Sequence, residues 1–281
     1  MSFDLLDAPL RLTWAITGNS SPLNADQLTI IAERIAEAGL FYVTLDNAPL
    51  LNPAWRKLVE CLIDGGCRVR LVCQGLDDEL AQLQDLAGRP VELLFDITSS
   101  QMVQDSSVDF SVLAPLLLKI RSSGFEPTLS LTPLRHHLSA IPELLRFCQE
   151  HQVSRVRLPN ATIVGDSAGY GPDDLPRWPD LQAFAQHWAE QSWVAGDWPA
   201  LEIQDLILWE IVTPGDLKSR SEYEGCQAGN SLGHVDADGQ LHPCSAWPYP
   251  LGSLLDSSFD EFWQGDERFR VRRHIDQAPQ G

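Results

Sequence analysis

The chain has 281 residues, 44% of them apolar and 21% charged, a balance that excludes extensive disorder and supplies enough apolar mass for one large core or two ordinary ones. Lys and Arg number 20 against 39 Asp and Glu, so the net charge of −19 repels a nucleic-acid backbone and an anionic membrane, and neither is an expected partner. No run of about 18 apolar residues occurs, and the start MSFDLLDAPL has neither a basic n-region nor an apolar h-region, so a cytoplasmic protein is the expectation. In that compartment Cys61, Cys67, Cys73, Cys148, Cys226 and Cys244 read as thiols rather than disulfides.

Short apolar or β-branched runs alternate with amphipathic stretches of period 3.6, the pattern of repeated βα units. A strand over 11–17 leads into a helix that Asn24 caps while Gln27 reaches back, with Leu28, Ile31, Ala32 and Ile35 on one face and Gly39 at its end. The next unit pairs a strand over 41–45 with a helix capped by Asn52, with Pro53 first and Trp55, Leu58 and Leu62 facing inward. Further strands are expected over 68–73, 91–97, 127–131 and 153–158, with helices between and after them, the clearest over 112–120, 141–148 and 181–188. Right-handed connections make this series parallel, and a curved partial barrel of six βα units is preferred to an open doubly wound sheet. In either arrangement a ligand sits at the carboxyl ends of the strands.

Near residue 200 the rhythm changes. The segment 201–212 is apolar, a charged stretch follows, and then CQAGNSLGHVDADGQLHPC places Asp238-Gly239 between two short alternating runs, a hairpin turn. The reading is a barrel over 1–200 and a small α+β module over 201–281. Seven of the nine tryptophans lie beyond residue 177, so the last third buries aromatic area and is no linker.

This order resembles the radical SAM superfamily, whose members have a partial (β/α)6 barrel with a parallel sheet, followed in one branch by a SPASM or twitch module that holds auxiliary iron–sulfur clusters. Two stretches carry the resemblance. VTLDNAPLLNP, from Val43 to Pro53, is similar to the family segment in which a Gly-Gly-Glu-Pro-Leu-Leu loop holds the amino group of S-adenosylmethionine. Cys226, Gly239 and Cys244, with gaps of twelve and four, and the following PLGSLLDSSFDEFW resemble the start of a SPASM or twitch module.

The departures bear on chemistry. The family needs a CxxxCxxC loop after the first strand, because three thiolates hold three irons and leave the fourth for the cosubstrate. This chain has no cysteine before Cys61, no histidine before His136, and only GNSSPL between Thr17 and the helix signals. Where the family has Gly-Gly-Glu, this sequence reads Asp46, Asn47 and Ala48, and Ala48 cannot accept a hydrogen bond from an amino group. Reductive cleavage of S-adenosylmethionine is therefore not expected. Asp46, Asn47 and, at the end of the fourth strand, Asp96 are taken as a residual polar pocket.

Cys226, Cys244, His234 and His242 are the candidate metal ligands, with Asp236 beside them. Two cysteines and two histidines do not follow a standard zinc-finger spacing, and no cysteine follows residue 244, so no cofactor is expected. If one is retained, it is a residual iron–sulfur cluster or a zinc ion in this module. Cys61, Cys67 and Cys73 read as core residues. His136 and His137 read as a solvated loop pair, and the glycines of VGDSAGYGPDD from Val164 as a mobile loop over the barrel mouth.

The functional expectation is a non-catalytic, radical-SAM-like scaffold that binds a peptide, a cofactor precursor or a catalytic partner protein in a peptide-modification or cofactor-biosynthesis pathway. The alternative is an enzyme that depends on a metal or iron–sulfur site around Cys226 and Cys244, or on a site completed by a partner subunit. An unrelated α/β barrel enzyme is the third reading.

Overall fold

The computed structural model describes residues 5–18, 23–98, 103–104, 107–161, 170–191, 199–212 and 226–277. The chain folds as two units, one of 1–72, 162–168 and 226–281, the other of 73–161 and 169–225. The C-terminal hairpin thus shares a unit with the first strands.

In the first unit, β1 (Arg11–Ala15), β2 (Tyr42–Asp46) and β3 (Arg68–Cys73) are parallel neighbours. Side chains alternate across a strand, so Leu12, Trp14, Val43, Leu45, Val69 and Leu71 share one face, and all are buried. Helix α1 (Ala25–Glu37) buries Leu28, Ile31, Ala32 and Ile35, the stripe its period predicts. Its capping box is present: Asn24 Oδ1 accepts from the backbone of Asp26 and Gln27, and Gln27 Oε1 accepts from the Asn24 backbone. Helix α2 (Trp55–Asp64) buries Trp55, Leu58, Val59 and Leu62. Asn52 does not cap it as expected. The helix starts two residues later, with Ala54 at its N-cap, so the Asn52 Oδ1 accepts from Ala54 N at 3.0 Å in the turn before it, and the Asn52 Nδ2 donates to the Ile16 carbonyl at 3.1 Å.

The second unit holds β4 (Val91–Asp96), the two-residue strands β5 (Val103–Gln104) and β6 (Ser107–Val108), then β7 (Thr128–Ser130), β8 (Arg155–Leu158) and β9 (Ala200–Ile203). Strands β4, β7, β8 and β9 form a parallel ladder in that order. Strands β5, β6 and β9 lie outside the expected series, and the acidic helix α3 (Asp77–Leu83), which buries only Leu80 and Leu83, fills the third βα unit at a position the sequence did not mark. Helices α4 (Phe110–Ser122), α5 (Ile141–Glu150) and α6 (Trp178–Glu190) stand close to their expected positions. Strand β9 continues the parallel series past residue 200 and is followed by α7 (Leu206–Val212).

Back in the first unit, β10 (Leu232–Val235) and β11 (Gln240–His242) form the expected hairpin around Asp238-Gly239, extended by β12 (Gly252–Ser253) and followed by α8 (Phe259–Trp263) and α9 (Asp266–Gln277). Gly239 has φ +78°, and a Cβ there would stand 2.8 Å from Ile31 Cδ1, so glycine serves both the turn and the approach to α1. Strand β10 pairs in parallel with β1, which joins the hairpin to the edge of the N-terminal sheet. Among the described residues no helix is long and apolar enough to cross a membrane.

Candidate functional site

The apolar face of each ladder has a polar reverse. In the first unit the register sets His242 opposite His234, His234 opposite Thr13, Thr13 opposite Thr44 and Thr44 opposite Arg70, one row across five strands. His242, His234, Thr44 and Arg70 are buried, and the Arg70 guanidinium lies 4.4 Å from the centroid of the Tyr42 ring. In the second unit Asp96, Ser130, Arg157 and Glu202 make the corresponding row, with Arg157 Nε 3.5 Å from Glu202 Oε1 and Arg155 Nη1 3.0 Å from Glu92 Oε2. The sequence reading missed both rows. Strand alternation was their only signal, and it says nothing of which distant residue is opposite.

The loops after β1 and β2 hold the first predicted residues. Asp46 lies opposite Ala15 at the end of the row's face, and its Oδ1 accepts from Asn47 N at 2.7 Å. Thr17 Oγ1 donates to the Asn47 carbonyl, and Asn47 Nδ2 donates back to the Thr17 carbonyl. Asn52 adds its bond to Ile16, so three side-chain bonds lace the two loops together. Asn47 and Ala48 both have left-handed backbone, φ +61° and +50°, a conformation natural to glycine and strained for alanine. A Cβ on Gly18 would come within 2.6 Å of the Ala237 Cβ, so the hairpin turn lies directly against the β1 loop. Asp96, in the other unit, accepts from Thr98 N at 3.0 Å.

The predicted metal ligands divide. His234 and His242 are cross-strand neighbours with ring centroids 6.1 Å apart, and His242 Nε2 is 2.9 Å from Asp236 Oδ2. Burial, with His242 adding to it, pulls the His234 pKa down to about 4. Burial raises the Cys244 thiol, and nearby Cys226 pushes the same way. Among the described residues no three His, Cys, Asp or Glu side chains are grouped to hold a metal, so the four do not form one donor set. What holds the Cys226 end is a pair of buried arginines. Arg272 Nη1 donates to the carbonyls of Cys226 (2.6 Å) and Ala228 (3.0 Å), and Arg268 donates to those of Gly229, Trp263 and Leu6 at 2.6–2.9 Å.

Of the remaining candidates, Cys67, Cys73 and Cys148 are buried as core thiols, while Cys61 is only half-buried. The histidine pair departs from expectation: His136 is exposed, but His137 is buried with Nδ1 2.9 Å from the Thr132 carbonyl, and burial lowers its pKa. It is a core histidine. The glycine-rich run from Val164 lies outside the described residues as far as residue 169.

Residues 226–280 match SPASM, described as an iron-sulfur cluster-binding domain. No curated protein matches the sequence. In fold, the chain is similar to Streptococcus suis SuiB bound to S-adenosylmethionine, with TM-score 0.67, 13% identity and coverage of 96% of this chain and 69% of SuiB. SuiB bound to its precursor peptide SuiA gives 0.65 at 12% identity, covering 96% and 68%. The structure of native anSMEcpe with bound AdoMet gives 0.61 at 13% identity, covering 93% and 82%. The fold is thus that of the radical SAM enzymes with a SPASM domain: a mostly parallel α/β sheet with the SPASM region at the C-terminus.

A four-iron cluster takes four donors, and neither the loop after β1 nor the SPASM region supplies four cysteines. The loop after β1 contains no cysteine, and its first two carbonyls are already bonded to Asn52 and Asn47. The SPASM region has two cysteines, half the thiolates of a four-iron cluster.

Proposed function

We propose that this protein is a scaffold that binds a peptide, and presents it or a partner enzyme for modification, without itself cleaving S-adenosylmethionine. The observation that carries the reading is the reciprocal bonding of Thr17 and Asn47. Side chains of this chain occupy the backbone groups at the head of the β1 loop, and the β2 loop keeps glycine-like dihedrals while bearing side chains at Asn47 and Ala48. Each change removes room or donors for a cluster and its cosubstrate. A peptide is the favoured ligand because SuiB, similar in fold, binds the precursor peptide SuiA. The charge of −19 favours a basic peptide over an acidic one.

The test is anoxic reconstitution with iron and sulfide, followed by metal analysis and equilibrium dialysis against S-adenosylmethionine. The expected result is no four-iron cluster and no retained S-adenosylmethionine. One four-iron cluster per chain with release of 5′-deoxyadenosine would overturn the reading.

A further inference from the structure

Strands β10 and β11 set two imidazoles directly opposite each other on the polar face, where an ordinary hairpin would carry exposed or apolar side chains. Relative exposure is 1% for His234 and 5% for His242. Three of their four ring nitrogens, both of His234 and Nδ1 of His242, are buried without a hydrogen-bond partner. The Thr13 backbone lies near enough to the His234 ring to favour its charged form, but not in hydrogen-bonding geometry. Buried polar atoms are normally satisfied, and a cluster of exceptions points to a bound species. The fourth nitrogen explains the arrangement. Asp236 Oδ2 accepts from His242 Nε2 at 2.9 Å, which fixes the proton there and leaves Nδ1 as a buried lone pair. A carboxylate on the far side of an imidazole is the usual outer partner of a metal-bound histidine.

We propose that His234 and His242 form a two-imidazole site for a single monovalent copper ion, oriented by Asp236. The centroid separation of 6.1 Å leaves room for one ion at about 2 Å from a nitrogen of each ring. No third His, Cys, Asp or Glu joins them among the described residues, which disfavours zinc, an ion that takes four ligands. Imidazole is a good copper donor, and the monovalent ion is satisfied by two neutral ligands with no water. Its single charge also loses less hydration on burial than a divalent ion would. The Asp236 side chain keeps 16% of its exposure, so the hairpin turn is the edge of the site nearest solvent. The inference is independent of the scaffold reading, since it involves neither the β1 loop nor the two cysteines.

The experiment is an anoxic titration of the full chain with monovalent copper against a chromophoric copper(I) chelator, followed by X-ray absorption on the loaded protein. One copper per chain with a nitrogen-only shell showing imidazole scattering is expected. His234→Gln should abolish that equivalent. Asp236→Asn, which keeps both imidazoles and covers the case of a misfolded His234→Gln, should weaken it by about 10- to 100-fold. A sulfur shell would overturn the proposal. So would failure to take up one equivalent, as expected if an ordered water alone fills the space, or uptake unchanged in a folded His234→Gln.

Discussion

The C-terminal module buries two pairs of basic side chains and treats them oppositely. Arg268 and Arg272 on α9 donate to five backbone carbonyls between them, and Arg268 also lies 4.8 Å from the centroid of the Trp263 ring. Burial and its neighbour Arg272 lower the Arg268 pKa to about 10, which leaves it charged at neutral pH. His234 and His242 instead leave three nitrogens unpaired. An arginine cannot shed its charge in a protein interior and is held there by carbonyls that take most of its donors, whereas a histidine can be buried neutral with an unused lone pair. The arginine pair is therefore structural, and the histidine pair is open to a ligand.

Substitution should separate them. The largest effect is expected for Arg268→Met, which strips donors from the carbonyls of Gly229, Trp263 and Leu6 and should lower stability by on the order of 3 kcal/mol in urea denaturation. A loss below about 1 kcal/mol would place the arginines among ordinary surface contacts.

The next effect is on pH dependence, in protein freed of metal by chelation. His234 has a folded-state pKa of about 4 against 6.5 for the free side chain. As pH falls below 6.5 the unfolded chain takes up a proton that the folded chain refuses. Stability is thus full above pH 6.5 and falls by on the order of 3 kcal/mol as pH drops to about 4. His137, also lowered by burial, adds to the same decline, so His234→Gln should flatten the slope of melting temperature against pH without abolishing it. An unchanged slope would mean that His234 is hydrated in solution.

The smallest effect lies away from both pairs. Ala48→Gly relieves a left-handed alanine and should raise stability by about 0.5–1 kcal/mol in the same urea assay. A destabilised variant would show that the alanine methyl packs usefully enough to outweigh its backbone strain.

Local chemistry was legible in the sequence, and pairing was not. Helix α1 was readable because its cap, its apolar stripe and its terminator all lie within sixteen residues. The hairpin was readable from Asp238-Gly239, where a two-residue signal sets the backbone. Helix α3 was expected after the third strand but could not be placed, because it buries only two leucines, too few to show a period. Strand β9 was missed because its partner β8 ends more than forty residues earlier. Asn52 marked the helix start to within two residues: its Oδ1 accepts from Ala54 N in the turn just before the helix.

The sequence alone determined the alternation of strand and helix, the hairpin and the absence of a three-cysteine loop, because these depend on neighbours along the chain. Only the tertiary structure decided that Thr13, Thr44, Arg70, His234 and His242 form one row. Residues more than two hundred positions apart, such as Thr13 and His234, become neighbours through hydrogen-bond register, and period-two alternation fixes the face of a side chain but not its companion. The separation of the two cysteines from the two histidines has the same origin. Four donors close in sequence lie on strands and turns whose pairing brings the imidazoles together, while Arg272 holds the backbone of Cys226.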